Sequence, residues 1–243
     1  TASGLAASLA LAGWLSGGQL EISGVRGQLL GPLAVDALRW HRQGETGSDA
    51  IQLAGLELAW QPAALLRGRL VIDRLHAREL RLERAPSPAT PPPARLTFPF
   101  AGQVDALTLD HLYLDGPTPA DSPALTQLTA RLTSDGQTHR LTHLSFRHAA
   151  LTLQAEAELG GIQPLPVTAR IELEGKLAAQ PLRLSLTADG PLAALAVRGD
   201  IHGAESQGEL TATLTPFARH PFSRLQARLR PIDPSLWHAA APA

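Results

Sequence analysis

The sequence has neither cysteine nor methionine in its 243 residues. Disulfides, thiolate nucleophiles and cysteine-ligated metals are thereby excluded, and an oxidising compartment is permitted without being required. Aromatic residues make up 4% of the chain and charged residues 18%. Both shares are low for a folded domain, so leucine and alanine supply most of the apolar surface. Lysine occurs once, at Lys176, a bias that codon usage accounts for more simply than phosphate recognition does. Formal net charge is −1, from Lys+Arg 21 and Asp+Glu 22, and the basic residues form no run. A nucleic-acid binder needs a basic stripe to displace counterions, so no nucleic-acid partner is expected.

Long hydrophobic runs are missing too. The N-terminal apolar stretch reaches from Leu5 to Leu15 and stops at Gly17-Gly18, well short of the roughly 20 residues that span a bilayer. It reads as the tail of a longer membrane span, a short interfacial helix or a core helix. Trp14 suits an interface. The opening Thr1 reads as a fragment or a processed product, with residues 1–18 as a membrane-proximal helix.

Signatures of catalysis are absent as well. The glycines of "GVRGQLLGPLAVDALRW", Gly24 to Trp40, are followed by Pro32 rather than by the Lys-Ser/Thr of a phosphate loop. A strand pattern, not a strand then a helix, surrounds them. His139 and His143 share a parity that would place them on one face, but no acid joins them, and His148 lies past a change of beat, which is weak for a metal site. Asp105, Asp110 and Asp115 recur every five residues, where a polar interruption or strand end is expected anyway. Neither a nucleophile elbow nor a zinc-protease motif occurs. The expectation is a non-enzyme with no metal and no cofactor.

What is present is a period of two, the mark of half-buried strands, with a recurring missed beat. Leu33 and Val35 are followed, after Asp36-Ala37, by Leu38 and Trp40. Ile51 and Leu53 are followed, after Ala54-Gly55, by Leu56, Leu58 and Trp60. The same beat runs through Leu70, Ile72, Leu75, Ala77, Leu80 and Leu82, and through Val104, Leu107, Leu109, Leu112 and Leu114. Most of the gap dipeptides, which also include Asp73-Arg74, Arg78-Glu79, Asp105-Ala106 and Asp110-His111, lack the glycine that most two-residue hairpins need. They read as β-bulges, which return the apolar set to one face and add twist. Pro62 and Gly68 bracket one or two helical turns, and "APSPATPPPAR", residues 85–95, reads as a proline-rich surface loop. After Leu125 the alternation is cleaner, with turn signals at Asp135-Gly136, Gly160-Gly161, Asp189-Gly190-Pro191 and Gly203. The fold expected is mostly β: a long curled antiparallel sheet of short, bulged strands, forming an open hydrophobic groove over residues 19–243.

Four segments resemble, in order and spacing, the TamB/AsmA-like family, in particular the N-terminal periplasmic part of the inner-membrane subunit of the translocation and assembly module. They are "LEISGVRGQLLGPLAVDALRW", "IQLAGLELAWQPAALLRGRLVIDRLHARELRL", "LTFPFAGQVDALTLDHLYLDG" and the Thr-Pro-Phe to Asp-Pro stretch from Gly208 to Ala243. Together they cover about two-thirds of the chain. The proline-rich loop is longer than that family's pattern.

The resemblance implies a β-trough anchored in the inner membrane of a Gram-negative bacterium by an N-terminal helix. It also implies a periplasmic location, phospholipid acyl chains as cargo, and an outer-membrane β-barrel partner met by a C-terminal part outside this sequence. On this reading Val35, Leu38, Leu56, Leu58, Leu70, Ile72, Leu107, Leu109, Leu112, Leu184 and Leu186 line the groove. The alternatives are a scaffold for outer-membrane β-barrel assembly that works by strand addition, or an unrelated β-sandwich binder whose apolar faces bury each other.

Overall fold

The computed structural model describes residues 20–28, 30–44, 47–83, 92–114, 124–177, 180–203, 207–218 and 222–230. The expected helix at 1–18, most of the 85–95 loop, Asp115 and Asp233-Pro234 lie outside them. The fold is mostly β, one 14-stranded sheet not closed into a barrel. The chain divides into two compact units, residues 1–88 with 99–136 and residues 89–98 with 137–243.

The first unit holds β1 (Leu20–Ser23), β2 (Arg26–Gly27), β3 (Leu33–Gly44), β4 (Gly47–Trp60), β5 (Arg69–Glu83), β6 (Ala101–Leu114) and β7 (Ala124–Ser134). Their order is β1-β3-β4-β5-β6-β7, with β2 also on β3. The second unit holds β8 (Thr138–His148), β9 (Leu151–Gly160), β10 (Pro166–Leu177), β11 (Gln180–Pro191), β12 (Leu195–Gly203), β13 (Gln207–Leu214) and β14 (Phe222–Arg230), paired in chain order. The single helix among the described residues is a 3-10 turn, Pro62–Arg67, started by proline and stopped by Gly68 in the left-handed region at φ 67°, where the missing Cβ removes the steric penalty.

Two features depart from the expected meander of short strands. Several strands are long, up to the 15 residues of β5, and β5 runs parallel to β6. A parallel neighbour cannot be reached by a tight hairpin and needs a crossover of a dozen or more residues. In the sequence the proline-rich stretch falls between these two strands.

The missed beats also divide into two kinds. Register shifts occur between Ala59 and Trp60 in the β4–β5 pair and between Val104 and Leu107 in the β6–β7 pair. Asp73-Arg74 and Asp105-Ala106 are therefore bulges against their antiparallel neighbours, as expected. At the other gaps the register does not slip. Val35 opposes Leu56 and Ala37 opposes Ala54, so Asp36 and Gly55 interrupt both strands at one level. The same level continues through Arg78 and Asp110, skipped together in the parallel pair, to Gln127, skipped opposite Asp110. On the other side it reaches Gly24, whose carbonyl accepts from the Asp36 N–H at 3.3 Å. It separates β1 from β2, which pair with β3 in one continuous register. A transverse crease thus crosses the first unit.

Left-handed backbone recurs along the crease, at Gly24 and Gly55 with φ 65° and at Gln127 with φ 54°, each facing a partner without positive φ. Glycine is favoured at the first two. A Cβ on Gly24 would overlap the Asp36 carboxylate, and one on Gly55 would overlap the Arg78 guanidinium.

Candidate functional site

The registers set apolar side chains in transverse rows. In the first unit Leu38 opposes Leu53, Leu53 opposes Leu80, Leu80 lies beside Leu112 and Leu112 opposes Leu125. On the far side of the crease, Leu33 opposes Leu58, Leu58 opposes Leu75, and Leu75 lies beside Leu107. Because every strand changes phase at the same level, the aliphatic side of the sheet does not change over at the crease. In β6 the residues Val104, Leu107, Leu109, Leu112 and Leu114 are all sheltered to some degree, whereas Asp105, Ala106, Asp110 and His111 are exposed.

In the second unit the rows are Leu153, Leu173, Leu184 and Ile201, then Ala155, Ile171, Leu186 and Gly199. Leu186 lies over Gly199, where a Cβ would overlap its Cδ2. Here register shifts fall in β8, between Leu141 and Leu144, and in the β13–β14 pair, where Ser223 is the extra residue.

Of the expected lining residues, Val35, Leu38, Leu56, Leu58, Leu70, Ile72, Leu107, Leu109 and Leu112 fall in the rows of the first unit, and Leu184 and Leu186 in those of the second. Val35 and Leu109 are buried, at 5% and 6% exposure, and the other nine are half-buried. Among the described residues only eight apolar side chains are buried, with Leu165 at 1% the most enclosed. Two sheets packed face to face bury their inner rows throughout, and these rows are not buried in that way.

The opposite side carries the charge. Arg140 donates to Glu158 at 2.7 Å and Arg183 to Glu174 at 2.8 Å. Arg81 donates to Glu79 at 2.9 Å and lies over the Tyr113 ring at 4.8 Å. The His76 ring shares a hydrogen bond with Thr108 Oγ1 at 2.9 Å and stands 3.8 Å from Asp110. A depression of about 360 Å³ on this side is bordered by Arg170, Glu172, Arg198, Asp200 and Glu209. Its two arginines are interleaved with three acids, so it forms no patch of a single sign.

The residues weighed for chemistry are dispersed. Asp105 accepts from Gln103 at 2.6 Å and Asp110 faces His76, so the two do not converge. The β8 bulge puts His143 at φ 54° and breaks the shared parity expected for His139 and His143. His139 Nε2 donates to the Leu96 carbonyl at 2.5 Å, and its ring meets Phe98 edge-on at 5.1 Å. No group of three metal-ligating side chains occurs among the described residues, and no described helix is long and apolar enough to cross a membrane.

Sequence reasoning missed the strap at 95–98. It bridges Arg95 to Ile162 and bonds the Leu96 N–H to the Gly161 carbonyl at 2.8 Å. Gly160-Gly161 was its only signal, since a Cβ on Gly161 would overlap the Leu96 carbonyl.

No family model, no curated protein and no solved structure matches the chain.

Proposed function

We propose that this chain is a non-enzymatic segment of a lipid-transfer bridge, holding phospholipid acyl chains against its aliphatic face while headgroups stay in solvent. The observation that carries the reading is the half-exposure of leucine-rich aliphatic rows in both units, opposite a side that carries ion pairs. Uncovered aliphatic rows of this extent call for an occupant, and acyl chains match a surface that is poor in aromatics and offers no directional chemistry. The periplasmic side of a Gram-negative inner membrane, reached through an N-terminal anchor, is the location that goes with this reading, from the four sequence segments of the TamB/AsmA-like pattern.

The test is a photo-crosslinking residue placed in cells at Leu107 and Leu184, with Arg170 on the charged side as the control. Phospholipid adducts are expected at the two leucines and not at the arginine. Absence of adducts at both leucines, or equal labelling at Arg170, overturns the proposal. Outer-membrane β-barrel chains captured in place of lipid would favour the scaffold.

A further inference from the structure

Register puts two connections side by side at one end of the first unit. Leu33, at the start of β3, opposes Leu58, near the end of β4. The turn at 28–32 and the 3-10 helix Pro62–Arg67 therefore leave the sheet at the same end, from adjacent strands. Both present leucine to solvent: Leu30 is 73% exposed, Leu65 44% and Leu66 91%, and no residue of the helix is buried. Arg67 and Arg69 are the only charged side chains in residues 27–35 and 58–72, and both are exposed. Of the nearest acids, Asp36 holds Arg26, Asp73 accepts from Gln61 at 2.6 Å, and Glu57 borders one depression together with Arg26 and Arg74.

We infer that this tip docks on a membrane surface bearing anionic lipid, with Leu30, Leu65 and Leu66 entering the headgroup boundary while Arg67 and Arg69 meet lipid phosphates. Leucine at the boundary combined with a basic rim is what holds interfacial segments to membranes, and guanidinium pairs with phosphate by two parallel hydrogen bonds. A leucine as exposed as Leu66 would need a matching pocket on a protein partner. A bilayer requires no such shape. The 3-10 helix is bracketed by Pro62 and by left-handed Gly68, so Leu65 and Leu66 are presented without further ordering on contact. The inference does not depend on what occupies the aliphatic face.

The absence of cysteine makes the test direct, because Leu66→Cys creates a single thiol for an environment-sensitive fluorophore on the full chain. Vesicles of phosphatidylcholine with phosphatidylglycerol are expected to shift its emission to the blue, and phosphatidylcholine alone to do so several-fold less. Arg67→Gln with Arg69→Gln should weaken vesicle binding roughly thirtyfold, and a label at Thr187→Cys should not respond. No shift at position 66 on vesicles with which the protein co-sediments overturns the inference. So does an equal response to both lipid mixtures, or a response to soluble polyglutamate. Leu184→Asp, which bears on the cargo, should leave the signal at position 66 intact, so the two ideas fail separately.

Discussion

At the crease single residues carry opposite costs. Gly55 sits at φ 65° under the Arg78 side chain, and an L side chain in left-handed backbone costs about 1–2 kcal/mol. Gly55→Ala should lower stability by at least that amount in urea unfolding. Gln127 occupies the equivalent place at φ 54° without being glycine. Gln127→Gly should therefore raise stability by up to about 1 kcal/mol, the relieved strain being partly offset by the freer unfolded chain. A shared sign for the two changes would contradict the strain assigned to the left-handed Gln127 backbone. At Gly161 the obstacle is backbone, the Leu96 and Gln137 carbonyls. Gly161→Ala should cost about 1–3 kcal/mol and speed amide hydrogen exchange at Leu96 first.

Elements differ in how much of them could be read in advance. The 3-10 turn was legible because Pro62 and Gly68 act locally. The apolar periods were legible for the same reason, since side-chain parity is a property of one strand. Whether a missed beat is a bulge or part of a crease depends on the strand beside it. Asp36-Ala37 and Asp73-Arg74 look alike in sequence, yet only the second accompanies a slip in register. The parallel β5–β6 pair was hidden for the same reason. Among the lining residues, assignment to a face was legible and depth was not. Leu109, at 6% exposure, is enclosed by neighbours on both sides, so Leu109→Ala should cost about 2–4 kcal/mol. Leu225, on β14 at 63% exposure, should cost under about 0.5 kcal/mol when changed to alanine. Thermal unfolding of the two variants distinguishes a graded face from a uniform one.

For the molecule as a whole, leucine rows on one side and ion pairs on the other predict an asymmetric response to added charge. Leu184→Asp should abolish the recovery of phospholipid by solvent extraction of the purified chain. Thr187→Asp, on the charged side, should leave it unchanged. Circular dichroism on both variants separates a lost ligand from a lost fold.

The crease also constrains how such a sheet can change in length. Strands β3 to β7 each carry a residue out of step at a shared level, and each neighbour is built to answer it. A strand of strict alternation inserted among them would agree with its neighbours on one side of that level and turn its leucines to the wrong side on the other. Growth by single residues is therefore penalised twice, once at each flanking strand. Growth by whole strands is not, provided that each new strand brings the same interruption at the same height. A sheet of this kind lengthens by copying units that already contain the fold line.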